Sequence, residues 1–370
     1  MVALNPGLSA AELARRTELG PQTVGKIVAD FEARGMITGG EVIRGMRGQP
    51  PTPLFLSPTG SFAIGCEIGW RHCIVELISI AGEVLGHHRW DYAFPNAHTI
   101  FKEVASVVDL LLRVLPEADR GRLLGVAVAA PALTTELIEQ FGGQHRDVAA
   151  WQGLDVRQAV EAATGHRTVL FNDGLGACWA ELAARPSPRP GGMSSIFIDS
   201  AVQSGVVADG RLIEGSNGNA ADLGMTLVTG MDGKTECVSA IAGIHALRAR
   251  LAAAGIDPSP NAPADWNWEA MEPVVGDWLD AGGRAVAFAL TNANAIVDSC
   301  TAILGGAMPP AIVERYLASV RRHLELLPLP ASRRLTLLLG QVGESAAAKG
   351  AGMLFMFRHF FAGEWEYFDF

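Results

Sequence analysis

The chain has 370 residues, 49% of them hydrophobic and 18% charged, with a formal net charge of −10. That balance excludes an intrinsically disordered chain, and the lack of an apolar run near 18 residues argues against a helical membrane span. The charge is uneven: residues 1–50 sum to +1 and the rest to −11, so any nucleic-acid contact is expected from the first segment alone. Five scattered cysteines (Cys66, Cys73, Cys178, Cys237, Cys300) form no CxxC. With no signal-peptide pattern, this reads as reduced thiols in a cytoplasmic protein.

The first segment predicts a helix-turn-helix. Ser9-Ala10-Ala11-Glu12 spells a capping box. Gly20-Pro21 breaks the first helix and starts the second, and Arg34-Gly35 stops it. Val24, Ile27, Val28 and Phe31 fall on one stripe, predicted to be buried. Gln22, Thr23 and Lys26 stand outward early in the second helix, where a major groove is read. A β wing is expected next, from Val42-Ile43 and Leu54-Phe55-Leu56, with Arg44 and Arg47 available to phosphates or a minor groove. Only eight residues precede Ser9, so a preceding packing helix would be cut short. The expected division is 1–48 winged helix, 49–60 linker, 61–185 and 186–370 two α/β lobes, the closing helix a candidate to return to the first lobe.

From Ser61 the pattern becomes strand, turn, strand, turn, strand. "LLGVAVAAPA" is a continuous apolar run, as in a strand buried on both faces. "TVLFND" is a second such strand, so Asn172 and Asp173 lie at a strand's carboxyl end, where open α/β sheets bind ligands. Asn172 and Asp173 also suit the cap of the helix that follows. A second meander spans Ser195 to Gly215. Then "AIAGIHALRARLAAAG" is predicted as one helix, "NANAIVDSCTAILGGAMPPAIVERYLASVRRHL" as helix, glycine pair, helix, and "RRLTLLLG" as a late buried strand.

With these elements in order, the chain resembles the ROK family of repressors, uncharacterised reading frames and sugar kinases. The resemblance rests on "RGQPPTPLFLSPTGSFAIG", "FNDGLGACWAE", "GVVADGRLIEG" and "ILGGAMP". It implies a winged helix-turn-helix followed by a two-lobed, actin-like and hexokinase-like fold. Kinases of the family bind a sugar and ATP between the lobes. Its repressors usually sense a sugar there, bind operator DNA, and form dimers or dimers of dimers.

Several departures from the family pattern bear on function. In the family the first phosphate loop is Asp, then Gly-Gly-Thr two residues on; here it is Glu67-Ile68-Gly69-Trp70-Arg71. The second loop, Gly-Thr-Gly-Ile-Gly in the family, is Asp199-Ser200-Ala201-Val202-Gln203. Glycines let backbone N–H groups approach a polyphosphate, and here those glycines are replaced. A carboxylate about 4 Å from a phosphate charge costs several kcal/mol at an effective dielectric near 20. ATP binding is therefore expected to be lost.

The resemblance implies that Asp173 would be the base if the protein were a kinase. It implies sugar contacts for Asn172, Asp173 and Asp222, with Asp147 and Trp151 nearby; Trp151 suits core packing equally. Met225 replaces a family histidine, and the family's run of cysteines is reduced to Cys237, so no zinc is expected. The expected function is a non-catalytic regulator that binds operator DNA and senses a sugar or sugar derivative. The alternatives are an active sugar kinase with atypical phosphate loops, and a scaffold that has kept neither ligand.

Overall fold

The computed structural model describes residues 1–3, 5–41, 52–186, 189–230, 233–258, 262–330 and 334–361. The first helix, α1 (Ala10–Thr17), starts at the capping box: the Glu12 N–H donates to Ser9 Oγ at 3.3 Å, and the Ser9 N–H donates to the Glu12 carboxylate at 2.8 Å. Pro21 opens α2 (Pro21–Ala33), and Gly35, at φ +68°, turns the chain out of it. Leu13, Ala14, Val24 and Leu54 close a small core.

The predicted stripe on α2 is only partly covered. Val24 is buried and Val28 half-buried, but Ile27 and Phe31 are 42% and 37% exposed. The eight-residue α1 is too short to cover a four-turn helix along its whole length. The wing also differs from expectation. Its first strand is β1 (Ile37–Gly39), antiparallel to β2 (Leu54–Leu56) with Ile37 opposite Leu56. The chain enters the sheet directly from the Gly35 turn. Val42-Ile43, expected to supply that strand, lies outside the described residues, as do Arg44 and Arg47.

Lobe 1 begins with an antiparallel meander, β3 (Phe62–Ile68), β4 (His72–Ser79) and β5 (Val84–Asp91). Then α3 (Ile100–Leu112) and a short α4 (Glu117–Arg120) lead to β6 (Leu123–Ala130). After α5 (Thr135–Gln140), α6 (His145–Trp151) and α7 (Val156–Thr164) comes β7 (Thr168–Asn172), followed at once by α8 (Asp173–Ala184). The sheet order is β5-β4-β3-β6-β7, with β3, β6 and β7 parallel. Strands β3 and β4 are buried along their whole length, because helices cover both faces of the sheet.

Lobe 2 repeats the plan with β8 (Met193–Ile198), β9 (Val202–Ala208) and β10 (Arg211–Leu212). A small hairpin, β11 (Leu227–Thr229) with β12 (Thr235–Cys237), precedes α9 (Val238–Ala242) and α10 (Ile244–Ala253). The remainder is α11 (Val274–Val297), β13 (Thr301–Gly306), α12 (Pro310–Leu326), β14 (Thr336–Leu339) and α13 (Ala346–Phe360). The sheet order is β10-β9-β8-β13-β14.

Two predictions need correction here. The helix expected from Ala240 to Gly255 is two helices broken at Gly243, whose ψ of 160° is extended. A Cβ there would sit 2.5 Å from the Ser200 carbonyl, so the break brings the chain against the β8–β9 turn. The glycine pair 305–306 does not join two helices; it ends β13, which runs parallel between β8 and β14. A six-residue apolar run has no periodicity to separate strand from helix, and its burial on both sides decides for strand.

The closing helix α13 packs against both β3 and α8. Glycines permit the approach: a Cβ on Gly65 would meet the Ala348 carbonyl, and one on Gly350 the Gly176 carbonyl. Among the described residues, no helix is long and apolar enough to cross a membrane.

Candidate functional site

The cleft between the lobes is built where strands end. From lobe 1 come Pro131, just past β6, and Asn172-Asp173 at the β7–α8 junction; from lobe 2 come Gln203, Ser204 and Asp222. The junction is sharp because Asn172 caps α8: its Oδ1 accepts the Gly174 N–H at 2.9 Å, and Asp173 Oδ1 shares that donor at 2.8 Å. Capping and cleft-lining thus coincide in this pair. Gly174 is obligatory here, since a Cβ would strike the Ser204 backbone.

Asp173 is buried. Burial first, then the Glu67 charge, push its carboxyl up to about 8, against the pull of the Gly174 N–H. At neutral pH Asp173 therefore carries a proton and can donate as well as accept a hydrogen bond. Asp222 is also raised by burial, partly offset by the Met225 and Gly224 N–H groups. Outside this inner cleft lies a wider mouth lined by Asn172, Asn217, Asn219, Glu214 and Arg358. Asn172 Nδ2 donates to Asn219 Oδ1 at 3.3 Å, tying the lobes across it.

The two remaining expected sugar residues are placed differently. Asp147 sits in α6, where its carboxylate accepts the Gln144 N–H at 2.7 Å in a capping box; it lines neither the inner cleft nor its mouth. Trp151 lines the mouth but is 3% exposed. Its Nε1 donates to the Pro95 carbonyl at 3.0 Å and its ring meets Phe101 edge-on at 5.9 Å, so core packing accounts for it.

The two altered phosphate loops face each other at the cleft's deep end. Trp70 is 2% exposed and stacks on Phe141, with centroids 4.6 Å apart and planes 17° from parallel. Phe141 meets His245 edge-on at 5.1 Å. These rings form a wall between the inner cleft, which Trp70 lines, and a second basin lined by Arg71, His72, Asp199 and Arg248. Ala201 of lobe 2 packs against the lobe 1 core beside this wall.

Beside these rings the lobes are joined by polar groups. Gln203 Nε2 donates to Glu67 Oε1 at 2.8 Å. The His72 ring lies between two carboxylates, Nε2 3.6 Å from Glu67 and Nδ1 3.9 Å from Asp199. Burial alone would lower His72, but Asp199 and Glu67 outweigh it and hold the imidazole at about 9, protonated. Asp199 is raised by burial while His72 pulls it back. The start of α10 is also occupied: the Ile244 N–H donates to the Asp199 carbonyl at 2.7 Å and the His245 N–H to that of Ser200 at 3.1 Å. Gly69 keeps only a turn role, its N–H donating to the His72 carbonyl at 2.9 Å.

Phe141, His72, His245 and Arg248 were not anticipated from the sequence as site residues. His72 had a signal: it begins the strand after the altered first loop, and a carboxylate stands in each loop.

A ring thus occupies the first loop, and carbonyls accept the N–H groups at the start of α10. Cys237 joins no cluster of ligating side chains among the described residues, where the one such group is Glu67, His72 and Asp199.

Comparison with known proteins decides the kinship. The ROK family model matches residues 63–357. The chain belongs to the ROK family. The MarR family model matches residues 1–44, ahead of the ROK domain. An uncharacterised protein, y4fQ of Sinorhizobium fredii, is 25% identical over 98% of this chain and 90% of its own length. The N-acetylmannosamine kinase of Citrobacter koseri is 32% identical over 53% of this chain and 67% of its own. Among solved structures, a ROK family transcriptional regulator homologous to the E. coli MLC protein aligns with TM-score 0.66 and 20% identity, over 94% of this chain and 91% of its own. A ROK family glucokinase from Streptomyces griseus aligns with TM-score 0.62 and 19% identity, over 80% of this chain and 99% of its own. ROK regulators and ROK kinases thus share this fold.

In the winged helix, Gln22, Thr23 and Lys26 are all exposed on the first turns of α2, as a reading face requires.

Proposed function

We propose that this protein is a transcriptional regulator that binds operator DNA through α2 and the wing, and that its ROK domain senses a sugar or sugar derivative without phosphorylating it. The observation that supports the reading is that Trp70, stacked on Phe141, fills the first altered loop where it borders the inner cleft. A kinase needs the sugar hydroxyl and the γ-phosphate in line and in contact. Here a buried aromatic pair fills the first loop, where glycines would let a phosphate approach. Asn172, protonated Asp173 and Asp222 offer donors and acceptors suited to vicinal hydroxyls. A ligand touching both lobes would shift their angle and, in a dimer, the spacing of the paired reading helices. ATP and zinc have no part in this reading.

An active sugar kinase is the second reading, favoured by the retained Asp173 and by the kinase relatives. Two measurements separate them. A thermal-shift screen of sugars, each with and without Mg-ATP, is expected to give a sugar shift that ATP does not alter. A coupled assay is expected to show no turnover; turnover abolished by Asp173→Ala would establish the kinase and end the sensor reading. For the DNA half, an operator selection must yield salt-sensitive, sequence-preferring binding, and its failure would remove the regulator assignment.

A further inference from the structure

The basin beside the aromatic pair is lined by three guanidinium groups, of which two, one from each lobe, make no ion pair among the described residues. Arg71 lies in the β3–β4 turn of lobe 1, and Arg248 on α10 of lobe 2. Neither has a salt-bridge or hydrogen-bond partner among the described side chains. Their neighbour Arg89 differs, being engaged by Asp91 at 2.7 Å and Glu344 at 3.0 Å. Arg248 lies over the Trp266 ring, Cζ 4.5 Å from its centroid, which supports one face of the guanidinium and leaves its N–H edge open. Nearby His245, edge-on to the Phe141 ring, is lowered by burial and by both arginines and so adds no positive charge.

These are like charges without an ion-pair contact among the described residues. Burial lowers both arginines, and Arg71 lowers Arg248 further, against the pull of Asp199, Asp257 and Asp91, which offset it only in part. A guanidinium does not shed its proton at any ordinary pH, so an anion is the available relief. Of the carboxylates around the basin, Asp199 faces His72 and Asp91 faces Arg89, which leaves Asp257 as the carboxylate without such a partner. A triphosphate would carry negative charge toward Asp199 and Asp257. A single compact anionic group would not. We propose that this basin binds a small molecule through one phosphate or carboxylate group, clamped between Arg71 and Arg248 and so joining the two lobes. The site is separate from the sugar cleft, and the inference does not depend on what that cleft binds.

The test is thermal shift and calorimetry on the full chain in low-salt buffer, with inorganic phosphate, acetate and Mg-ATP as probes. Phosphate or acetate is expected to bind saturably in the millimolar range or tighter, and the stronger of the two identifies the group. Arg71→Gln and Arg248→Gln are each expected to weaken that binding at least tenfold, while ligand-free melting stays level or rises because a repulsion is gone. Arg71→Lys and Arg248→Lys should restore part of the affinity. Asp173→Asn should leave it unchanged, which separates this site from the sugar cleft. Three results would each overturn the assignment: no saturable phosphate or acetate binding, unchanged binding in both Gln variants, or Mg-ATP binding more tightly than phosphate.

Discussion

Replacing Asp173 by Asn should change how stability depends on pH. The carboxyl titrates near 3.8 in the ordinary case and near 8 in the fold. Between those values the native state holds a proton that the unfolded chain has released. Stability must therefore fall as pH climbs through this window and level off once the native carboxyl ionises. At about 1.4 kcal/mol per pH unit over roughly four units, the ceiling of the loss is about 5–6 kcal/mol. The ionised carboxylate can draw water from the cleft, so we expect about 2–4 kcal/mol. Asn has the same shape, keeps an oxygen for the Gly174 N–H, and does not titrate. Urea unfolding at pH 5 and pH 9 should then show a steeper decline in the wild type than in Asp173→Asn, with the variant the more stable at pH 9. Parallel pH profiles for the two proteins would refute a buried, protonated Asp173. Sugar affinity offers an independent reading: if the proton donates to the ligand, affinity should fall above about pH 8 in the wild type only.

Trp70→Ala empties the wall at a site 2% exposed and should cost about 3–5 kcal/mol, read as a lower urea midpoint without any gain of ATP-dependent turnover. Gln203→Leu leaves the buried Glu67 carboxylate without its donor, and a loss of about 1–3 kcal/mol is expected by denaturant titration. In the winged helix, Ser9→Ala removes the α1 cap and should cost about 1 kcal/mol by thermal melting. Lys26→Ala should weaken DNA binding and lower the slope of log K against log salt by about 1, if Lys26 meets a phosphate.

Local signals were legible where chain neighbours decide the structure. The Ser9–Glu12 capping box, Pro21 at the start of α2 and Gly35 at its end each have a partner within a few residues. The buried strand β6 was legible because both faces are covered and the run is unbroken; β7, expected to be buried on both faces as well, is the edge strand of its sheet and leaves Leu170 44% exposed. Thr301–Gly306 was misread because a short apolar run carries no period. The break at Gly243 was missed because its cause, the Ser200 carbonyl, lies about forty residues away in sequence. The site divided the same way. The missing glycines in both loops were plain, but that a ring stacks where one had been depends on Phe141, a tertiary partner. Asp147 could not be placed from sequence because a carboxylate near a tryptophan suits a ligand and a helix cap alike, and in the structure it caps α6. Arg248 gave no sequence signal, since an arginine on an amphipathic helix is ordinarily a solvated one.

The packing of α13 has a consequence for synthesis. This helix completes the face of the lobe 1 sheet formed by Ala63, Ile78, Ala127 and Phe171, yet it is made after all of lobe 2. Gly65, which receives its backbone, is made some 280 residues earlier than Ala348. A nascent first lobe must therefore wait with one apolar face open while the second is translated. Chains ending before residue 346 should leave the ribosome with that face still exposed, a substrate for chaperones or proteases rather than an isolated half-domain.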